Sequence, residues 1–223
     1  MTETITELKI EDGRIGDWMT TYSGKKFYPA DPRIEDFDIL DIAVALGNIN
    51  RYSGHCRSYT VGEHSVLVSK MVEEKFALDG LMHDAEEGYI NDIIGPVKLV
   101  IGKKNTIFAL SVSIRVKLAE RFGLTWPEPK EVKKADAQIL GLEKRALHPR
   151  STDWKLLYPV PEKIRIACLD HERAAEMFLS RFCQLTGTSF SPLKDRLDAY
   201  RVQDLKALNN QNKDAYGQEK AKS

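Results

Sequence analysis

The chain has 223 residues, 42% of them apolar, with 33 Lys and Arg balanced by 33 Asp and Glu. That length and apolar content suffice for one domain with a real core and exclude a disordered chain. The neutral balance excludes a general field for long nucleic acid or an acidic membrane surface. Cys56, Cys168 and Cys183 are odd in number and show no C-x-x-C spacing, which argues against a disulfide framework or cysteine zinc site and fits a reducing cytoplasm. The opening M-T-E-T-I-T-E-L-K has neither a basic n-region nor an apolar h-region, so no signal peptide is expected. No apolar run approaches the ~20 residues of a membrane span.

In chain order, residues 1–37 read as an N-terminal extension. Within it, W-M-T-T-Y-S-G-K-K-F-Y-P holds two aromatic and Thr runs around Ser23-Gly24, which predicts a small β-hairpin. Asp31-Pro32 then leads into a helix from about Asp38, with Leu40, Ala43, Val44, Leu46 and Ile49 at helical spacing. A loop over 51–59 is followed by helices over 61–76, carrying His64, and 77–90, carrying His83, Asp84 and Glu87. Gly95-Pro96 breaks the pattern. A helix over 105–122 is closed by Gly123, and Pro127 and Pro129 open another that holds Asp136 and reaches about Leu147. A Pro- and aromatic-containing loop covers 148–161, followed by helices over 161–185 and 193–208 and a frayed tail over 209–223. The expectation is one all-α domain over 1–223, with a helical core at 38–208.

Four residues carry the chemistry: His64 in V-G-E-H-S-V-L-V, His83 and Asp84 in L-M-H-D-A-E-E-G, and Asp136 in V-K-K-A-D-A-Q-I-L. Each stands in an apolar-periodic segment. Burying two imidazoles and two carboxylates is costly unless something neutralises them. A divalent cation does so, and two neutral imidazoles with two carboxylates suit zinc, manganese, cobalt or iron. Four protein ligands leave room for water only above four-coordination, which favours Mn²⁺, Co²⁺, Ni²⁺ or Mg²⁺, although zinc can also expand. Glu87 lies four residues after His83 and shares its helix face, near the ion without being a ligand. No histidine occurs between Asp84 and Asp136, and the remaining three are at 55, 148 and 171.

This H…HD…D order resembles the HD-domain phosphohydrolase superfamily. The resemblance extends through N-R-Y-S-G-H-C-R-S-Y-T-V-G-E-H-S, H-D-A-E-E-G-Y-I-N-D-I-I-G-P-V-K and K-K-A-D, covering about residues 38–140. It looks most like the small deoxynucleotide-specific enzymes: bacterial 5′-deoxynucleotidases and bacteriophage dATP triphosphohydrolases. Asn91-Asp92 stands in place of the Gly-Asp of those enzymes, and Ile94-Gly95 where the 5′-deoxynucleotidases have Pro-Thr.

The resemblance implies an HD helical bundle with one divalent ion per chain, since two-metal relatives generally add histidines between Asp84 and Asp136. It matches Glu87 to the catalytic carboxylate and Asp92 to a substrate-contacting acid. Lys98 matches the lysine near the phosphates, Arg51 the arginine ahead of the first histidine, and Tyr52 an aromatic residue lining sugar and base. From the residues themselves, Arg51, Arg57, Lys98 and His55 are the cations available for phosphate. Four such groups favour a triphosphate; the resemblance to the phage enzymes then implies dATP as the substrate, with deoxyadenosine and triphosphate as products, in a phage or bacterial nucleotide pool. The alternative is a deoxynucleoside 5′-monophosphatase. From other classes come a non-catalytic nucleotide-binding HD module and a cyclic-nucleotide or signalling-nucleotide phosphodiesterase. The expected partner is a small deoxynucleotide, with no long nucleic acid and no membrane. The chain is expected to be a cytoplasmic homo-oligomer, in the host cytoplasm if phage-encoded.

Overall fold

In the computed structural model, which describes residues 10, 11, 13–102, 105–151 and 153–220, the chain is mostly helical, with short strands near its N-terminus. Residues 1–9, on which the expectation of no signal peptide rests, lie outside the described residues. The strands form two antiparallel pairs, β1 (Ile10–Glu11) with β2 (Arg14–Ile15) and β3 (Met19–Thr20) with β4 (Lys26–Phe27). The second pair is the hairpin expected around Ser23-Gly24, with Met19 opposite Phe27 and Gly24 at φ +85°. The Ser23 amide and hydroxyl donate to the buried Asp41 carboxylate at 2.6 and 2.8 Å. Phe27 is fully buried against Phe37 and Tyr89.

Eight helices follow within residues 1–188: α1 (Ile39–Asn48), α2 (Val61–Met71), α3 (Ala77–Met82), α4 (Glu87–Ile90), α5 (Gly95–Ile101), α6 (Thr106–Phe122), α7 (Lys130–Leu147) and α8 (His171–Thr186). Their starts are chemically marked. Asp38, Thr60, Asn105 and Asp170 each accept a backbone N–H at the start of α1, α2, α6 and α8, satisfying donors that a helix leaves unpaired. Gly123, at φ +67°, ends α6 as expected. A β-carbon on Gly47 would stand 2.8 Å from the His171 carbonyl, so α1 and α8 meet backbone to backbone. Tyr59, Leu67, Val68, Val132, Ala135 and Ile139 form a buried cluster that fastens α2 to α7. That contact sets the distance between His64 and Asp136. The segment from Ser189 onward is a separate unit, whose described part is α9 (Phe190–Lys220). Among the described residues no helix is long and apolar enough to cross a membrane.

Several boundaries differ from the sequence reading. The helix expected over 77–90 is broken, because residues 83–86 turn with i→i−3 bonds from Ala85 to Met82 and from Glu87 to Asp84. The His83 Nδ1 lies 2.9 Å from the Gly80 carbonyl, an acceptor that a continuing helix would use. His83 and Glu87 therefore do not share a face of one helix. The helix over 61–76 stops at Met71, followed by a single 3₁₀ turn over Glu74–Phe76. Gly95-Pro96 opens α5 rather than ending order, since proline fits the first helical turn. The helix expected from 161 begins only at His171. The Ala167, Cys168 and Leu169 amides donate instead to the buried Glu63 carboxylate at 2.6, 3.2 and 2.9 Å. Finally, α9 continues to Lys220 through the stretch expected to be a tail; that stretch holds no proline, and Gly217 alone costs only about 1 kcal/mol.

Candidate metal centre

His64 sits in the first turns of α2 and is fully buried. Its Nδ1 lies 2.7 Å from Glu143 Oε1, so a neutral ring donates there and turns an unprotonated Nε2 the other way. His83 is fixed in the same manner by the Gly80 carbonyl at 2.9 Å. The two Nε2 atoms converge on carboxylates. Asp136 Oδ1, from α7, is 3.1 Å from His64 Nε2. Asp84 Oδ2 is 3.1 Å from His83 Nε2 and 3.9 Å from His64 Nε2. Among the described residues neither Nε2 makes a hydrogen bond, although both are buried. Two buried, unbonded imidazole nitrogens facing carboxylate oxygens are what a metal-binding donor set presents, and bonds of ~2.1 Å at tetrahedral angles put ligand atoms ~3.4 Å apart. His64, His83 and Asp84 offer ligand atoms within 4.8 Å of one another and could hold a metal ion.

Without an ion the charges compensate one another. Burial pulls His83 towards its neutral form, but the adjacent Asp84 carboxylate prevails and raises its pKa to about 10. Burial and Arg51 work against protonation of His64, yet Glu143 and Asp136 hold its pKa above the ordinary value. Burial raises Asp84, but His83, His64 and Arg51 together keep it far below the usual carboxylate range.

Glu143 is a buried partner of the site that the sequence reading missed. It lies seven positions after Asp136 on α7, hence on the same face, and is fully buried. Besides His64 it takes Arg51, whose Nε is 3.2 Å from Oε1, and the Tyr52 hydroxyl. Burial opposes its charge, but Arg51 and His64 hold its pKa well below the carboxylate range. A buried acid on an apolar-periodic stripe was the available signal. Arg51 and Tyr52 reach it from a turn in which Tyr52 (φ +58°) and Ser53 (φ +51°) are left-handed, a conformation uncommon for residues other than glycine and often found at functional sites.

A cavity of about 670 Å³ opens beside the candidate metal ligands, with Asp84 and Asp136 in its wall. Arg51, Tyr52, His55, Glu87, Asp92 and Lys98 also line it, so the structure brings these expected residues together. Arg57 is not among its lining residues: it is exposed and close enough to Cys168 to affect that thiol. Glu87 opens α4 and is 4% exposed, with one oxygen 3.4 Å from Lys98 Nζ and the other buried without a partner among the described residues. Burial first, then Asp84 and Asp92, raise it to about 9. Burial likewise raises Asp92. Lys98 is brought to the wall by α5. Leu140, His148, Trp154 and Lys155 complete the far side and were not anticipated, because the last three lie in or beside a loop whose path no local pattern gives.

No family model matches the chain. Over 173 residues it is 35% identical to the Escherichia coli protein named Uncharacterized protein YfdR, covering 76% of this chain and 96% of that protein. Over 128 residues it is 34% identical to Uncharacterized protein RCAP_rcc00048 of Rhodobacter capsulatus, covering 53% of this chain and 64% of that one. Identity at that level across nearly the whole of the first relative places the chain in its family: it belongs to the family of the E. coli protein YfdR.

Proposed function

We propose that this chain is a metal-dependent phosphohydrolase of HD-domain type that acts on deoxynucleotides. The observation that carries the reading is the pair of buried, unbonded His64 and His83 Nε2 atoms, facing Asp136 and Asp84 at the wall of a cavity that also holds Arg51 and Lys98. His64, His83, Asp84 and Asp136 would hold one divalent ion, with Mn²⁺, Co²⁺, Ni²⁺, Mg²⁺ and Zn²⁺ all compatible with the donors. Such an ion, when bound, polarises a phosphoryl oxygen and makes bound water more acidic.

The chain's own residues supply the rest. Arg51 and Lys98 place positive charge on the cavity wall, where phosphate oxygens can be held. Glu87, buried beside Lys98, is positioned to orient the attacking water; its pKa of about 9 keeps it protonated in the metal-free chain, and it would take the water's proton once a bound cation offset the Asp84 charge that raises it. The water oxygen forms the new bond to phosphorus, the bond to the 5′ oxygen breaks, and that oxygen needs a proton. Burial raises the pKa of Asp92, which favours its protonated form and suits it to return one. Tyr52, held by Glu143, lines the same cavity, and deoxynucleotides would be preferred if it closes against C2′ and leaves no room for a ribose hydroxyl.

The geometry favours a monophosphate. Arg57 is absent from the cavity wall, Arg51 is already paired with Glu143 and Asp84, and Lys98 with Glu87. Little unpaired cationic charge is left for three phosphates. The triphosphate reading, with dATP giving deoxyadenosine and triphosphate, draws support from Lys155, an exposed cation on the wall. A panel of dAMP, dATP and their ribose counterparts, assayed with each metal and resolved by ion exchange, separates these readings. We expect deoxynucleoside and inorganic phosphate, faster from dAMP than from dATP. No hydrolysis under any metal would leave a nucleotide-binding module without turnover.

A further inference from the structure

We infer that Tyr52, His148 and Trp154 form a ring platform on which the nucleobase of the substrate stacks, so that the site selects nucleotides over smaller phosphoesters without reading the identity of the base. The inference rests on the phosphohydrolase reading above. The three rings pack into one aromatic cluster, with Tyr52 edge-on to His148 at 73° and His148 and Trp154 inclined by 34°. The Tyr52 and His148 centroids are 4.6 Å apart, those of His148 and Trp154 5.1 Å, and those of Tyr52 and Trp154 5.8 Å. All three line the same cavity as Asp84 and Asp136. At about 670 Å³ that cavity far exceeds what a phosphate group needs. Its carboxylates hold the metal end, and its remaining lining includes the apolar Ile93, Ile94 and Leu140.

The wall is built to keep its position. Tyr52 is tethered through its hydroxyl to the buried Glu143, which also holds His64. The platform and the metal ligand are thus referenced to one carboxylate. Trp154 is only half-buried, and the loop that carries it packs onto α7, where a β-carbon on Gly141 would meet Val160 at 3.0 Å and Leu156 at 3.4 Å. Stacking uses the face of a base, which all four bases share, so the platform tolerates any of them.

The test uses the full chain loaded with metal, with Trp154→Ala and Trp154→Phe variants checked for native circular dichroism. KM and kcat are measured for the four deoxynucleoside monophosphates and for 2-deoxyribose 5-phosphate, which lacks a base. We expect Trp154→Ala to raise KM for every nucleotide by about 10-fold, the scale of one lost base–aromatic stack, with kcat little changed. The sugar phosphate should be unaffected, and Trp154→Phe should restore nucleotide KM. Parallel losses on nucleotide and sugar phosphate would make Trp154 merely structural and overturn the platform; so would an unchanged nucleotide KM, or a preference among bases that Trp154→Ala leaves intact. A second measurement needs no turnover: deoxyadenosine should quench wild-type tryptophan fluorescence and fail to quench Trp154→Phe. If no phosphoester is hydrolysed yet that quenching occurs, the hydrolase reading fails and the platform stands. If neither variant protein folds, absence of quenching in wild type still overturns it.

Discussion

The carboxylate of Glu143 stands 2.7 Å from the Nδ1 of His64, and neither side chain is exposed to solvent. The pair fixes the imidazole's tautomer and rotation, so that its other nitrogen faces Asp136 and Asp84. Because Glu143 also takes Arg51 and Tyr52, one acid aligns a candidate metal ligand, a cation and an aromatic ring. Glu143→Ala should weaken metal affinity by about 10–100-fold, the usual cost of losing such an outer partner. Glu143→Gln, whose amide oxygen still accepts from Nδ1, should lose less. Competition with a chromogenic chelator measures both, and a folded Glu143→Ala protein with wild-type affinity would sink the assignment.

His83→Ala and Asp84→Ala should abolish metal binding and hydrolysis together, since each removes a donor from the group that could hold an ion. Metal analysis of the purified wild-type chain should give about one transition ion per chain, matching the single donor set. Two tightly held ions per chain would contradict the single-centre reading.

Glu87→Ala should leave metal affinity intact while kcat falls by about 10²-fold or more, the scale of a lost acid–base group. Equilibrium dialysis of the variant against the metal decides the point. Loss of the ion would make Glu87 a ligand.

Metal affinity should rise steadily with pH through neutrality. In the metal-free chain the His83 pKa is raised to about 10 and that of His64 lies above its ordinary value. His83 therefore holds a proton at pH 7 that an ion must displace, and the shift of His64 acts in the same direction. Each unit fall in pH then weakens binding about tenfold per proton released. Unshifted imidazoles would let the affinity level off above about pH 6.5, so a plateau there would count against this charge arrangement.

Gly47→Ala should destabilise the fold by about 1–3 kcal/mol, because the added carbon would stand 2.8 Å from the His171 carbonyl and 3.0 Å from Ala175 Cβ. Urea unfolding gives the number. An unchanged midpoint would mean that α1 and α8 separate without cost.

His64 and Asp136 were legible because helical periodicity places them on elements whose apolar neighbours must pack. The break between His83 and Glu87 was not, since i→i−3 and i→i−4 bonds leave similar patterns over so few residues. Glu143 was visible in principle, at the repeat of Asp136, but an isolated acid on a helix reads as solvated until its partners Arg51 and Tyr52 arrive from another part of the chain. Arg57 looked equivalent to Arg51 because the two are close in sequence. The left-handed turn at Tyr52 and Ser53 lies between them, and one is half-buried against Glu143 while the other is exposed. His148 and Trp154 owe their places to a loop settling on α7 through Gly141, a tertiary event without a local signature.

His64 and Glu143 are 79 residues apart in sequence, whereas His83 and Asp84 are adjacent. An unfolded chain therefore offers an ion only a local, weak two-atom chelate, and the full donor set exists once α2 and α7 have docked. Ion capture would then be coupled to folding, and a bound metal would stabilise the native state by the difference between its affinities for the two forms. Ordering so distant a pair carries the loop-closure entropy of a long intervening segment. The ion would act as a late clasp on an already assembled core, raising the melting temperature in proportion to the logarithm of its free concentration.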